Sequence, residues 1–339
     1  MAHRLRTRSL GCLTLVFVAS ALLTGCPQWQ RGEVAYPAPK DQFVTVKGRK
    51  VHVVDQGDRS RPVILFVHGF ASSWVVWARL MKELRGRYRV IALDLPGFGW
   101  SDKRQGDYSP QGLADVVDAV LQARGVDRAH VVAHSWGCSI ALALAHRHPK
   151  RVRSLTLMGA WIYDEQIVPF LRWARVKGLG EFLFAAFYKE RVGDRMALAF
   201  YHPERYVSYG VVRKVKAALE RPGAVRAALA ATRQQYLKRQ ERHYRTVEQP
   251  TLLLWGREDE VALRKYGERL AREMPNARLQ VFARCGHFPM IEAYGGTRAA
   301  LRAHLRRVEE REAARTAPAP APPARPVAPP RPTAREAAP

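Results

Sequence analysis

Cysteine is scarce in this sequence, and long apolar runs are confined to its start. The chain has 4 cysteines among 339 residues, at scattered positions, which excludes a small disulfide scaffold and matches no zinc-site spacing. Beyond the first few dozen residues no apolar run is long enough to cross a bilayer, which excludes a protein with several membrane spans. Hydrophobic residues make up 47% of the chain, which excludes a wholly disordered or fibrous protein.

Acidic residues are also few relative to basic ones. The chain has 30 Asp and Glu residues against 56 Lys and Arg residues, so its formal net charge is +26. The excess is mostly arginine spread along the chain, whereas a nucleic-acid-binding protein would concentrate it in a basic patch with interleaved aromatics. We therefore expect no nucleic-acid partner. Net charge alone still favours attraction to an anionic membrane surface.

The N-terminal residues have the pattern of a secretory signal. Arg4, Arg6 and Arg8 precede an apolar stretch over residues 10–23. This stretch is shorter than the ~20 residues that a membrane-spanning helix needs, so the pattern favours a signal peptide.

The end of the apolar stretch carries a second signal. The sequence Leu23-Thr24-Gly25-Cys26 resembles the bacterial lipobox, which implies cleavage before Cys26 and a diacylglycerol anchor on its thiol. We predict a lipoprotein signal peptide over residues 1–25, with an uncleaved N-terminal anchor as the alternative. Pro27 after the cysteine implies, by the sorting pattern of such proteins, an outer-membrane location facing the periplasm.

Two segments of low complexity flank the patterned region. Residues 26–40 contain three prolines and no periodicity, so we predict a tether. Residues 313–339 are almost all Ala, Pro and Arg, and they predict a disordered tail. The tail is interpreted as an idle linker end or, alternatively, as a segment that reaches cell-wall material.

The region between these segments alternates strand patterns with helical patterns, which predicts an α/β fold with a mostly parallel sheet. One predicted helix runs from Pro110 to Arg124, with Ser109 as its N-cap. Eight runs have the composition of strands: residues 43–46, 51–54, 63–67, 90–93, 130–133, 155–158, 251–254 and 279–282.

One long segment interrupts this alternation. Residues 161–245 contain no strand pattern and are rich in Arg, Ala, Leu and aromatic residues. Ligands of open α/β sheets bind at the carboxyl edge of the strands, so we expect a helical cap over that edge. The core would then consist of residues 41–160 and 246–312.

Ser135 lies between the end of a predicted buried strand and the start of a helix. A serine in such a sharp turn presents its hydroxyl over a helix N-terminus, where backbone N–H groups favour a developing negative charge. The sequence Ala133-His134-Ser135-Trp136-Gly137 resembles the Gly-x-Ser-x-Gly nucleophile elbow of the α/β-hydrolases, with Ala133 in place of the first glycine.

Other segments resemble further motifs of the α/β-hydrolase family, in the family's order, and the resemblance covers about residues 41–312. It implies an eight-stranded, mostly parallel sheet flanked by helices, with an inserted helical cap. The matching segments are the oxyanion loop at residues 66–70, the Asp-x-Pro-Gly-x-Gly-x-Ser turn at 94–101, the acid loop at 254–261 and the histidine loop at 285–289.

The resemblance implies a catalytic triad of Ser135, His287 and Asp259. A serine hydroxyl needs a base to take its proton, and His287 is the predicted base. Asp259 would accept the other imidazole N–H and stabilise the imidazolium. Three other acids are alternatives to Asp259: Glu258, Glu260 and Asp164.

The resemblance also assigns roles around the triad. Backbone N–H groups of Phe70 and Trp136 are expected to form the oxyanion hole, with Gly69 allowing close approach of the backbone and His68 bracing the loop. His134 is expected to point away from the site and to pack. Asp94, Pro96, Gly97 and Gly99 are expected to shape the neighbouring turn.

Cys138 and Cys285 lie close in sequence to the predicted catalytic residues. A disulfide between them is chemically allowed outside the cytoplasm, but we expect separate buried thiols. The sequence implies no cofactor and no metal.

The predicted reaction is hydrolysis of a small-molecule or lipidic carboxylic ester. Carbon–carbon bond hydrolase, perhydrolase and aminopeptidase activities are alternatives that share the triad, and a non-catalytic envelope-binding lipoprotein is a further one. A serine at the elbow argues against the dehalogenase and epoxide hydrolase branches, which need a carboxylate nucleophile. The aromatic residues of the cap are interpreted as ordinary helix packing or as a wall for an acyl chain: Trp161, Trp173, Phe182, Phe184, Phe187, Phe200 and Tyr201.

Overall fold

The computed structural model of the protein describes residues 42–316. The predicted signal peptide, Cys26, the tether and residues 317–339 therefore lie outside the described residues. The eight strands are β1 (Phe43–Val46), β2 (Arg49–Gln56), β3 (Val63–Val67), β4 (Arg89–Leu93), β5 (Ala129–His134), β6 (Val152–Met158), β7 (Thr251–Gly256) and β8 (Ala277–Phe282).

The strands form a single eight-stranded sheet in the order β1-β2-β4-β3-β5-β6-β7-β8. β2 pairs antiparallel with β1 and with β4, and all the other neighbours pair in parallel. This topology confirms the predicted fold class, including the opening antiparallel pair.

Helices cover both faces of this sheet and lie in the insertion between β6 and β7. In chain order they are α1 (Ala78–Leu84), α2 (Pro110–Ala123), α3 (Trp136–Arg147), α4 (Pro169–Trp173), α5 (Leu179–Phe187), α6 (Val192–Ala197), α7 (Pro203–Tyr206), α8 (Tyr209–Leu219), α9 (Ala224–Arg233), α10 (Leu237–Glu241), α11 (Arg264–Glu273), α12 (Pro289–Glu292) and α13 (Tyr294–Thr316).

Two apolar layers hold the helices to the sheet. The central strands β3, β4 and β5 are buried at every residue, which explains their continuous apolar sequences. Leu113 of α2 and Ile140 of α3 pack in the layer on one side, and Leu80 of α1 and Leu305 of α13 pack in the other.

Helix α2 begins where the sequence predicts. The Ser109 hydroxyl accepts a hydrogen bond from the Gly112 N–H at 3.1 Å, and Pro110 occupies the first helical position. Both features satisfy or remove N–H groups that a helix start leaves without partners.

All regular structure between β6 and β7 is helical, as the sequence predicts for residues 161–245. The insertion comprises α4–α10 and two short 3₁₀ turns. Buried cap side chains such as Phe184, Leu229 and Leu237 join the apolar layer that also contains α2 and α3. The cap therefore shares its core with the sheet.

The final helix α13 extends to Thr316 and so enters the predicted tail, whose start was placed at residue 313. The extension has a physical basis, because Glu312 forms ion pairs with Arg128 at 2.9 Å and Arg153 at 3.2 Å. Alanine, glutamate and arginine also favour the helix. Within residues 42–316, no helix is both long enough and apolar enough to span a bilayer.

Candidate active site

Ser135 lies in a strained turn between β5 and α3. Its backbone has φ +52° and ψ −126°, a conformation that is costly for any residue other than glycine. The side chain is 9% exposed. Strain of this kind persists only where the surrounding structure enforces it, which is a feature of functional sites.

Two glycines allow the neighbouring segments to approach this turn. A Cβ on Gly137 would lie 2.4 Å from the His68 carbonyl oxygen, and a Cβ on Gly69 would lie 2.9 Å from the Ser135 Cβ. Both distances are below any that real Cβ atoms show. The loop after β3 and the start of α3 therefore pack at backbone distance around Ser135.

His287 and Asp259 form a buried pair at the ends of β8 and β7. The His287 Nδ1 donates to Asp259 Oδ2 at 2.9 Å. The other carboxylate oxygen, Oδ1, accepts from the backbone N–H groups of Val261 at 2.9 Å and Ala262 at 2.8 Å. These bonds fix the carboxylate, which in turn fixes the orientation and tautomer of the imidazole.

Gly159, just after β6, brings this pair next to Ser135. The Ser135 N–H donates to the carbonyl of Met158, the residue before Gly159, at 2.9 Å. A Cβ on Gly159 would lie 3.0 Å from His287 Nδ1 and 3.2 Å from Asp259 Oδ2. Among residues 42–316 no hydrogen bond joins Ser135 Oγ to the His287 ring. Hydrogen bonds between a nucleophile and its base often reach bonding distance only when substrate is bound.

The alternative acids have other partners. Glu258 accepts a hydrogen bond from the Cys285 N–H at 3.0 Å, and Glu260 is exposed. Asp164 lies near the cap arginines Arg172 and Arg175, at 3.6 and 3.9 Å. Asp259 is thus the one of the four that hydrogen-bonds to the His287 imidazole.

Trp136 and Phe70 border Ser135 on two sides. Trp136 is the first residue of the 12-residue helix α3, where backbone N–H groups lack intrahelical partners. Phe70 follows Gly69, and its ring packs edge-on against Phe98, Trp136 and Tyr188, with centroids 5.4, 5.8 and 6.3 Å away.

Tyr188 of the cap is a member of this aromatic cluster that sequence reasoning missed. Its hydroxyl is buried without a hydrogen-bond partner among residues 42–316, and burial raises its pKa. No local motif marks Tyr188, because its contact with Phe70 depends on how the cap folds over the sheet.

His68 braces the loop after β3. Its Nδ1 donates to the Gly69 carbonyl at 2.7 Å, and its Nε2 accepts from the Leu95 N–H at 2.9 Å. Burial lowers the pKa of His68, which keeps the imidazole neutral and able to accept that second bond. These two hydrogen bonds tie the loop after β3 to the backbone that follows β4.

Asp94 organises the turn after β4. Its carboxylate accepts from the backbone N–H groups of Trp74 at 2.8 Å and Trp100 at 2.9 Å, and it pairs with His52 Nδ1 at 2.9 Å. Burial would raise the pKa of Asp94, but the hydrogen bonds from His52 and from the Trp100 N–H lower it overall. These contacts agree with the predicted shaping role.

The prediction that His134 points away from the site is wrong. The His134 Nε2 donates to the His287 carbonyl at 2.8 Å, and its ring centroid lies 4.6 Å from those of both His287 and Phe288. The cause is the path of the 285–289 loop, which passes over the end of β5. His134 therefore packs against the backbone and ring of the proposed base.

Glu292 ties the 285–289 loop to the cap and was not predicted. One carboxylate oxygen accepts a hydrogen bond from the Gly286 backbone N–H at 2.9 Å. The other accepts from the backbone N–H groups of Tyr201 at 2.7 Å and His202 at 3.4 Å. The His287 N–H also donates to the carbonyl of the cap residue Ala199 at 2.8 Å.

Cys138 and Cys285 are separate, buried thiols, which confirms that prediction. Burial raises the pKa of both thiols, that of Cys285 to about 12, so both stay protonated at neutral pH. Across the described part of the chain, no group of three or more His, Cys, Asp and Glu side chains is placed to bind a metal ion.

Comparison with known proteins identifies the class. The alpha/beta hydrolase fold family matches residues 62–294, and the chain belongs to this family. It is 31% identical over 253 residues to 2-hydroxymuconate semialdehyde hydrolase of Pseudomonas sp. (strain CF600), covering 68% of this chain and 81% of the relative.

Other proteins to which the chain is similar differ in their named activities. The chain is 28% identical over 244 residues to epoxide hydrolase 4 of Mus musculus, covering 64% of this chain and 66% of that protein. The solved structure of Est816, described as an N-acyl homoserine lactone degrading enzyme, superposes with a TM-score of 0.66 at 26% identity, covering 77% of this chain and 99% of that one.

Proposed function

We propose that the protein is a serine hydrolase that cleaves carboxylic esters or lactones through an acyl-enzyme on Ser135. In the first half-reaction Oγ attacks the substrate carbonyl while His287 takes the hydroxyl proton through Nε2. The tetrahedral oxyanion accepts hydrogen bonds from the backbone N–H groups of Phe70 and Trp136. Its collapse breaks the bond to the leaving group, which receives the proton from His287.

In the second half-reaction water repeats the sequence. His287 takes a proton from water, the hydroxide adds to the acyl carbon, and collapse releases the acid and returns the proton to Ser135 Oγ. Asp259 keeps the imidazole in the required tautomer and stabilises the imidazolium. The buried Asp259–His287 pair beside a strained serine is the observation that carries this proposal.

The ester or lactone assignment is supported by the likeness to Est816, whose described substrate is a lactone. The second candidate is hydrolysis of a carbon–carbon bond. Its support is the 31% identity to a hydrolase of 2-hydroxymuconate semialdehyde, a compound whose name contains no ester. Epoxide opening is not proposed, because the elbow carries Ser135 where that reaction needs a carboxylate to form an alkyl ester.

The proposed nucleophile can be tested by labelling the full-length chain with a fluorophosphonate and measuring intact mass. We expect one adduct on the wild type and none on Ser135→Ala. His287→Gln should react at least about 10²-fold more slowly, because the serine then lacks its base. A folded wild-type protein that takes up no label would contradict the proposal and favour the non-catalytic binding alternative.

The bond class needs a separate measurement on the same preparations. We expect the wild type to hydrolyse nitrophenyl esters or acyl homoserine lactones, with Ser135→Ala inactive on both. A 2-hydroxy-6-oxo dienoate substrate, followed by loss of its visible absorbance, tests carbon–carbon cleavage. A higher kcat/KM on the dienoate than on every ester and lactone would replace the first candidate with the second.

We also propose, from the sequence alone, that the mature protein is anchored to the outer membrane through diacylglycerol on Cys26. Metabolic labelling with an alkyne palmitate should mark the wild type but not Cys26→Ala. Cys138→Ala is the matched control and should retain the label.

A further inference from the structure

Helix α5 of the cap exposes an apolar face. Its outward positions are Leu179, Phe182 and Phe187, which are 42%, 61% and 51% exposed, together with Ala186. A surface helix normally presents polar residues to solvent and keeps its apolar stripe for the core. Helix α5 is apolar on both sides.

The inward face shows that this orientation is fixed. Phe184 is fully buried and stacks on Phe170 and Tyr188, with ring centroids 5.8 and 4.9 Å away. Gly180 packs against the backbone of Ala174, because a Cβ there would lie 2.0 Å from the Ala174 carbonyl oxygen. The helix cannot rotate to bury Phe182 without losing these contacts.

The exposed apolar surface continues into the preceding turn. Trp173 is 58% exposed and Val176 is 56% exposed, and the Val176 N–H donates to the Trp173 carbonyl at 3.0 Å. The Phe182 and Phe187 rings contact each other at 6.2 Å. We name the set Trp173, Val176, Leu179, Phe182 and Phe187 the cap patch; groups of exposed apolar side chains of this kind mark interaction sites.

Basic residues outnumber acidic ones in the segment that carries the cap patch, although Arg172 and Arg175 pair with Asp164, and Arg191 with Asp194. Residues 172–191 contain five Lys and Arg against two Glu. Glu181, one of those two, is bound on both oxygens by Arg233 at 2.7 Å. Lys177 and Lys189 have no ion pair within the described residues 42–316, so their charges remain available to a partner.

The charge distinguishes between possible occupants of this surface. A two-fold dimer through the cap patch would bring the same cations together from both copies, which is unfavourable. Exposed Trp, Phe and Leu with Lys177 and Lys189 close in sequence instead match the boundary of an anionic bilayer, where apolar side chains enter the acyl region and cations pair with headgroups.

We propose that the cap patch docks on an anionic lipid bilayer, with Trp173, Phe182 and Phe187 inserted at the headgroup boundary. Lys177 and Lys189 would lie over the anionic headgroups. The proposal concerns where the cap rests and does not depend on which bond the enzyme cleaves.

The experiment measures contact at Trp173 itself, using the full-length chain. Fluorescence quenching by brominated acyl chains is compared between wild type and Trp173→Phe, on vesicles of phosphatidylcholine with about 30% phosphatidylglycerol. The difference between the two chains reports only Trp173. Trp100→Phe is the matched control, because that ring is covered by the Arg221 guanidinium at 3.5 Å.

We expect Trp173 emission to be quenched on anionic vesicles and released as ionic strength rises. Phe182→Ser with Phe187→Ser should remove the quenching of Trp173 and, with it, the dependence of the emission on ionic strength. Val75→Ser, an exposed apolar residue of the core domain, should change neither.

Three outcomes would overturn the proposal. Vesicle-bound protein with unquenched Trp173 would mean that another segment holds the membrane or covers the patch. Equal quenching on pure phosphatidylcholine would remove the anionic requirement. A dimer in light scattering that Phe182→Ser abolishes would assign the patch to a second copy.

Discussion

His134 contacts the proposed base His287 directly. Its Nε2–H donates to the His287 carbonyl, and its ring lies against those of His287 and Phe288. Burial and the neighbouring His287 lower its pKa well below the usual value, so it stays neutral and keeps its donor on Nε2. We infer that His134 is a positioning residue for the proposed base.

Removing this donor should slow the chemical step. In His134→Phe the ring stacking remains but the hydrogen bond to the His287 backbone is lost, and small displacements of catalytic groups are costly. We expect kcat on an ester substrate to fall about tenfold while KM changes less than about twofold.

The conservative variant supplies the control for this prediction. His134→Gln retains an N–H donor and should recover most of kcat. A Phe variant with wild-type kcat would show that His134 only packs.

Site residues that belong to local motifs could be predicted, whereas those positioned by contacts distant in sequence could not. Ser135, Asp259 and His287 could be predicted because each belongs to a short motif with its own local turn. His134 was identified but misplaced, because its partner lies 153 residues away and the loop path between them is set by tertiary packing. Tyr188 and Glu292 belong to no local pattern at all.

At the level of elements, Glu292 is a clamp between the 285–289 loop and the cap segment at 199–202. Its two oxygens accept three backbone N–H groups, one from the loop and two from the cap. Burial raises its pKa, although those hydrogen bonds oppose the shift. The proposed base therefore sits on a loop that the cap holds in place.

Weakening this clamp should loosen both segments together. Glu292→Gln keeps one acceptor oxygen but faces a backbone donor with an NH₂ group, so one end of the clamp is lost. We expect faster amide hydrogen exchange at residues 199–202 and 286–288, and about a tenfold lower kcat.

Glu190→Gln, in an exposed position of the cap, is the matched control and should leave both readouts unchanged. Faster exchange confined to one of the two segments would contradict a clamp that couples them.

The elements themselves differed in how well their sequences specified them. Strands β3 to β5 were predicted closely because burial on both faces requires continuous apolar runs. The cap was predicted only as helical, since helices such as α4 and α7, of 5 and 4 residues, are too short to show a helical apolar period. Helix α13 ends later than predicted. Glu312 pairs with Arg128, just before β5, and with Arg153 in β6, and such distant contacts leave no local signal in the sequence.

For the whole molecule, buried neutral histidines link stability to pH. Burial, with nearby arginines, lowers the pKa of His130 to about 3, and burial lowers that of His304 to about 4. In the unfolded chain both would titrate near their ordinary value of about 6.5. Below that pH the unfolded state binds more protons than the folded state, so the free energy of unfolding falls as pH falls.

The size of this effect can be predicted and separated from other titrations. Each histidine should lower the free energy of unfolding by about 1.4 kcal/mol per pH unit below about 6.5. Moving from pH 7 to pH 5 should therefore lower it by about 4 kcal/mol for the pair.

His130→Asn removes one titrating ring while keeping a group that can bond Ser154 Oγ, which lies 2.8 Å from His130 Nδ1. Guanidinium denaturation at the two pH values should then show about 2 kcal/mol less pH dependence. Ser154→Ala breaks the same hydrogen bond but leaves the imidazole. It should therefore lower the free energy of unfolding at both pH values and keep the wild-type dependence on pH. If the pH dependence of His130→Asn equals that of the wild type, the linkage is contradicted.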